Sequence, residues 1–240
     1  MLLHLGTSGF SYKEWKGSFY PEDLPQKQYL SYYAGRFPAV EINNTFYRMP
    51  APSMLEGWTE QVPEGFRFVL KAPQRITHQK KLVDAGEEVT RLVEVSTSLG
   101  PHLGPILFQL PPYLRRDDAK LTAFLETIPA GTSFAFEFRH ESWRDAAVEG
   151  ILGRRNAAVC IAETDEQQTE KLEDGPADWG YLRLRRTEYE NDALSRWADR
   201  IAARNWREAW LFFKHEDEGK GPAFADEFSR LAERAGITLA

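Results

Sequence analysis

The sequence predicts an α/β protein folded as a single (β/α)8 TIM-type barrel, irregular in that one helix is missing or replaced by a loop. Three observations lead there. Eight short apolar runs alternate with longer amphipathic patterns from end to end. The 240 residues suit one barrel, an architecture that runs to roughly 250 residues as one domain. Charged and amide side chains recur at strand ends, on the strand face opposite the apolar one, where barrels build their sites. No Gly-x-Gly-x-x-Gly or Walker-type loop follows any strand, which weakens the alternative of a doubly wound open sheet.

Taken in order, Leu2–Thr7 reads as the first strand and passes into a loop dense in Gly, Ser and aromatics. Gln26–Phe37 reads as a helix with Tyr29, Leu30, Tyr33 and Phe37 on one face, before a strand at Ala39–Asn43. Pro52-Ser53 opens a short helix to Gln61, followed by a strand at Arg67–Lys71. Glu87–Leu99 repeats Val89, Leu92, Val93 and Val95 at helical spacing until Gly100-Pro101 stops it. A strand at Ile106–Gln109 precedes the helix Asp117–Ile128, whose first-turn carboxylates suit the helix dipole and whose apolar face is Leu121, Phe124, Leu125 and Ile128.

Ser133–Arg139 and Ala158–Ala162 are strands around a helix at Trp143–Arg155. Residues 163–178, rich in Glu, Asp and Gly, offer no helix, and that is the irregularity. Strands at Gly180–Arg185 and Ala209–Lys214 alternate with helices at Asn191–Arg204 and Pro222–Ala235. No linker, low-complexity tract or short repeat divides the chain, so residues 1–240 read as one domain.

A hydrophobic fraction of 42% and an aromatic fraction of 13% allow a large core that needs no staples. The net charge of −6 argues against nucleic-acid binding over the whole surface and leaves a local basic site open. Cys160, the one cysteine, sits in the apolar run Ala157–Ala162 and reads as a small buried hydrophobe without a disulfide partner. The N-terminus lacks a basic region before its short apolar stretch, and no run approaches bilayer length. The expectation is a cytoplasmic protein that keeps away from membranes; the oligomeric state is not legible.

Side chains two apart on a strand point the same way. Phe134, Phe136 and Phe138 then face the helices, while Ala135, Glu137 and Arg139 face the barrel interior. By the same rule Glu41, Asn43, Val69, Lys71, Arg183 and Arg185 point inward, and Val40, Ile42, Phe68, Leu70, Leu182 and Leu184 point outward. Interior charge is costly unless paired or hydrogen-bonded, so its repetition at one end of several strands marks a ligand site. The competing reading is an ion-pair network that merely fills the barrel.

On the site reading, Glu41 and Glu137 are the candidate proton-transfer groups, provided burial raises one of their pKa values. Lys71, Arg139 and Arg185 would hold a phosphate or carboxylate, and Lys71 is also a candidate nucleophilic amine. Ser8, Asn43, Asn44 and Gln109 would orient the ligand by hydrogen bonds. Gly6 and Gly9 would turn the backbone so that N–H groups meet the anion. Tyr12, Tyr47 and Trp143 would offer aromatic faces to it, with Phe10, Trp15 and Phe46 in similar positions, although such aromatics also cap cores.

The histidines His4, His78, His102, His140 and His215 show no short metal-ligand spacing, so no metal and no cofactor is expected. The expected function is an enzyme of hydrolase, lyase or isomerase type acting on a small anionic or phosphorylated, carbohydrate-like substrate. Its Glu137→Gln variant should lose turnover and keep its fold. Two alternatives stand beside it: a non-catalytic nucleotide or nucleic-acid binding module, and a metal-assisted phosphodiester hydrolase in which His140 and His215 reach the mouth with Glu137 or Asp165.

The segments Gly6-Thr-Ser-Gly-Phe-Ser-Tyr12, Trp15-Lys-Gly17, Phe19-Tyr-Pro21, Glu41-Ile-Asn-Asn-Thr-Phe-Tyr47, Lys71-Ala-Pro73, Phe108-Gln-Leu-Pro-Pro112 and Phe136-Glu-Phe-Arg-His140 with Ser142-Trp143 extend over most of the chain. In them the sequence resembles the YecE-like family, domain of unknown function 72. The resemblance implies a single (β/α)8 barrel and brings no settled activity. It also implies an Asn-rich turn after the last strand, where this chain has Phe212-Phe-Lys-His-Glu-Asp217.

Overall fold

Eight parallel strands close into a ring in the computed structural model, which describes residues 1–167, 172, 175–214 and 219–240. They are β1 (Leu2–Ser8), β2 (Ala39–Ile42), β3 (Arg67–Lys71), β4 (Leu103–Gln109), β5 (Phe134–Glu137), β6 (Ala158–Glu163), β7 (Trp179–Leu184) and β8 (Glu208–Phe213). Each pairs with the next, β8 pairs with β1, and β1 pairs with β2, so the barrel is shut. A short ninth strand, β9 (Thr238–Leu239), was not legible in the pattern. It pairs with Leu2 and Leu3, because β2 reaches β1 only from Gly6 onward and the first half of β1 would otherwise be an open edge.

Among the described residues seven α-helices surround the ring: α1 (Tyr29–Ala34), α2 (Pro52–Thr59), α3 (Gly86–Ser96), α4 (Asp118–Thr127), α5 (Ala146–Gly153), α6 (Asn191–Ala202) and α7 (Lys220–Arg234). Between β6 and β7 none of the described residues is helical; residues 168–171 and 173–174 of that stretch lie outside the described set. The helix ends follow local chemistry. Asp117 and Asp145 accept hydrogen bonds from the N–H groups of Lys120 (2.9 Å) and Ala147 (2.8 Å), capping α4 and α5. The helix read over Gln26–Phe37 is shorter, opening as a 3-10 turn at Gln26–Gln28, yet Tyr29, Leu30, Tyr33 and Phe37 are buried as its periodicity requires.

Two strands differ in length by more than one residue from expectation. β4 starts earlier, at Leu103, and β5 stops at Glu137 rather than Arg139. Phe138 leaves the ladder to stack on Trp143, ring centroids 4.7 Å apart, which releases Arg139 to the rim. Face assignment otherwise follows the two-residue period. Val40, Ile42, Phe68, Leu70, Leu182 and Leu184 join one apolar cluster under the helices, and Phe108, Phe134 and Phe136 another. Ala39, Val69, Leu107, Ala135, Cys160, Tyr181, Trp210 and Phe212 form the core inside the barrel. Among the described residues no helix is long and apolar enough to cross a membrane.

Candidate functional site

The floor of the barrel mouth is a buried arginine between two buried glutamates. Arg183, 2% exposed, sends one guanidinium nitrogen to Glu41 (2.8 Å) and the other to Glu137 (2.6 Å). Strand register supplies the remaining partners. Ser8 stands beside Glu41, and Gln109 beside Glu137, in adjacent strands. The Ser8 hydroxyl (2.7 Å), the Asn43 amide (3.1 Å) and the Tyr181 hydroxyl (2.6 Å) all donate to Glu41. Gln109 (2.9 Å) and Arg185 (3.0 Å) donate to Glu137.

Burial alone would raise both carboxyl pKa values. The Arg183 charge and the converging donors outweigh it, holding Glu41 below the usual carboxylate range and Glu137 at about 2. The condition for acid–base work by either carboxylate, a raised pKa, is therefore not met. Both are ionised, and their oxygens are occupied.

Lys71 is different. It is 9% exposed at the end of β3, and its amino group lies over the Phe46 ring, 4.2 Å from the centroid. Among the described residues it has no carboxylate within 4.0 Å. Burial lowers its pKa first and the Arg183 charge second, with Lys214 adding a little; Glu41 and Glu137 oppose them, and the result is about 8. The Thr45 hydroxyl fixes this contact by donating to Lys71 O at 2.7 Å, which pins the loop after β2 against β3.

His78 meets the same aromatic ring edge-on, 4.9 Å between centroids. Burial, then Lys71 and Arg139, lower its pKa, which favours a neutral imidazole. Its Nδ1 is 2.9 Å from the Thr77 hydroxyl. His78 stands in a π-helical turn, Arg75–Gln79, a distortion frequent at functional sites. Beyond it Lys81, Leu82 and Asp84 all adopt positive φ, of 51°, 70° and 47°. Such strain persists where the surroundings hold it. Here Glu88 clamps Arg75 and Lys80, both at 2.8 Å, and Leu82 is buried.

The remaining expected residues divide. Arg139 is exposed beyond β5 and lines a cleft of about 890 Å³ with Glu137, Arg144, Thr164 and Arg185. The Nε atoms of Arg183 and Arg185 are buried without an acceptor among the described residues. Asn44 and Tyr47 lie on the rim, Tyr47 at 76% exposure.

Tyr12 donates to Ser8 O (2.8 Å) and packs on Trp15, so it closes the first loop. Trp143 is 3% exposed, stacked on Phe138, and donates its indole N–H to Leu114 O; it is a packed residue, not an open stacking face. The expected anion nest is absent. The Gly9 N–H is bonded to Glu41 O at 2.8 Å, and Gly6 lies within the β1 ladder.

Sequence reasoning passed over His78 and undervalued Arg183, Tyr181 and Phe46. The inward period already placed Arg183 beside Arg185, whereas His78 sits in an aperiodic turn. Among the described residues no three His, Cys, Asp or Glu side chains gather as a metal site. His140 is 2.9 Å from the Ser142 hydroxyl, and His215, like the rest of 215–218, lies outside the described residues.

The model of a family described as "Protein of unknown function DUF72" matches residues 4–239. The UPF0759 protein YecE of Escherichia coli K12 is 35% identical over 112 residues, 46% of this chain and 41% of that protein. The UPF0759 protein YunF of Bacillus subtilis 168 is 29% identical over 150 residues, 59% of this chain and 52% of that protein. The chain thus spans about half the length of the curated relatives it matches. A DUF72 family protein from Thermotoga maritima has a crystal structure similar to this one, with a TM-score of 0.83 and 26% identity, covering 97% of this chain and 100% of that chain.

Proposed function

This chain belongs to the DUF72 family, and we propose that its barrel mouth is the site of an enzyme acting on a small anionic, carbohydrate-like substrate. The observation that carries this reading is Lys71, a residue nine-tenths buried at the mouth whose ammonium has no carboxylate partner among the described residues while both glutamates are committed to arginines. A buried cation without a counter-ion favours an anion that completes it. Arg139 and Arg185, which line the cleft, add guanidinium groups of the kind that recognise phosphate or carboxylate.

In this reading the chemistry passes from the glutamates to Lys71 and His78. Lys71, at about 8, titrates nearer neutrality than the carboxylates, and burial with the Lys71 and Arg139 charges keeps the His78 imidazole neutral and able to accept a proton. Glu41, Glu137 and Arg183 form the fixed electrostatic frame beneath them. A cytoplasmic setting belongs to the proposal and rests on the lone buried thiol of Cys160.

Calorimetric titration with inorganic phosphate and with glucose 6-phosphate tests the ligand class. Binding that weakens at least tenfold in Lys71→Met supports it. Unchanged affinity in that variant, or no binding by the wild type, would remove it. The exposed Tyr47 and the Lys81 ammonium 5.3 Å over the exposed Tyr113 ring favour a second reading, a nucleic-acid surface. Tight oligonucleotide binding without sugar phosphate binding would replace the first reading with the second.

A further inference from the structure

Resting on that reading of the mouth, we propose that Lys71 is a covalent catalyst whose amino group condenses with the carbonyl carbon of a small anionic aldehyde or ketone to form an imine. The argument begins with position. Lys71 ends β3 at the barrel mouth, and its side chain is buried, so the amine is held on a strand rather than carried by a loop. The Phe46 face covers it, and Thr45 bonded to Lys71 O keeps that cover in place.

Its surroundings ease loss of the ammonium proton. Arg183 from β7 and Lys214 after β8 disfavour the ammonium, as does burial. Glu41 from β2 and Glu137 from β5 attract it, but their oxygens already accept from Arg183, Tyr181, Ser8, Gln109 and Arg185. His78, on the turn after β3, brings an imidazole to the same Phe46 ring. A substrate anion is supplied with partners at Arg139 and Arg185, whose side chains line the cleft at the mouth.

The step balances without an oxidant or reductant. The Lys71 ammonium first gives one proton to the His78 imidazole. The freed Nζ lone pair attacks the carbonyl carbon, and the C=O π pair moves to oxygen, forming a C–N bond. The oxygen takes a proton from imidazolium and the nitrogen gives one to the imidazole so freed, leaving a neutral carbinolamine. That imidazolium protonates the hydroxyl, and the C–O bond breaks with its electron pair going to oxygen. Water leaves, the nitrogen lone pair forms C=N, and the last N–H proton returns to the imidazole. Amine plus carbonyl compound becomes imine plus water.

Incubation with glyoxylate or glyceraldehyde 3-phosphate and cyanoborohydride, followed by peptide mass spectrometry, tests the step. The expected result is a reduced adduct on Lys71 formed at least tenfold faster than on the exposed Lys27, with a rate that rises as pH passes through about 8. His78→Gln should slow adduct formation at least tenfold and shift that pH profile. Lys71→Arg should abolish the adduct at this position, and a cooperative thermal unfolding transition shows that the variant is folded. Labelling of Lys71 no faster than Lys27 in wild-type protein that binds phosphate would overturn the covalent step and leave the anion site standing. Loss of phosphate binding by the wild type would overturn both.

Discussion

Arg183 decides how the mouth behaves at the level of single residues. One guanidinium bridges two buried carboxylates, Arg185 supplies the second positive charge, and removing any partner leaves a charge unbalanced in the low-dielectric interior. Glu137→Gln, expected from the sequence to spare the fold, should instead destabilise it by about 3–5 kcal/mol, because Arg183 and Arg185 lose their shared anion. Urea denaturation checks this through a lower midpoint at unchanged slope.

The pH dependence has two signed windows. Glu137 titrates at about 2 in the folded protein and ordinarily near 4.5. Its contribution is complete above about pH 4.5 and is lost as pH falls toward 2. Lys71 is lowered from 10.5 to about 8, so the unfolded chain binds the extra proton between those values and stability rises with pH across that window. Unfolding followed from pH 7 to 10.5 should show that rise in wild type and lose it in Lys71→Met.

At the scale of elements, the seam between β1 and β2 is the most constrained part of the barrel. A Cβ on Gly6 would lie 1.9 Å from Ala39 O and 2.8 Å from the Tyr33 hydroxyl. That hydroxyl is itself bonded to Ala39 O, to the Thr7 N–H and to the Thr7 side chain. Gly6→Ala must therefore push the closing strands apart, at a cost of about 3 kcal/mol or more. Gly57 in α2 has no atom within 4 Å of the corresponding position, and Gly57→Ala should stabilise by about 0.5–1 kcal/mol. Thermal unfolding of the two variants side by side checks the contrast.

Elements were readable wherever one face is apolar, as in α6, where Leu194, Trp197, Ala198 and Ile201 are buried at helical spacing. They were misread where a tertiary contact ends them. Phe138 satisfies the period of β5 but stacks on Trp143, and two-residue β9 is too short to carry a period at all.

For the whole molecule, the relevant quantity is the contrast between a net charge of −6 and a locally cationic mouth. A small anion carries no condensed counterion layer and is only screened, so its affinity should fall far less between about 50 and 200 mM salt than that of a nucleic acid spanning 6–10 phosphate contacts, which would lose about 10³–10⁵. Titrations at the two salt concentrations separate the readings.

Periodicity, length and strand-end polarity were enough for the sequence by itself to determine the barrel, the inward face of Glu41, Lys71, Glu137, Arg183 and Arg185, and the mouth as the place where charge collects. These follow from local rules, since each strand alternates whatever its neighbours do. Only the tertiary structure decided which charges are spent. Arg183 meets Glu41 across 142 positions of sequence, and it meets Glu137 across 46. Pairing at that range depends on closure of the ring and on relative strand height, which no single strand encodes. Closure is what tied Glu41 and Glu137 to Arg183 and left Lys71 without a carboxylate partner among the described residues.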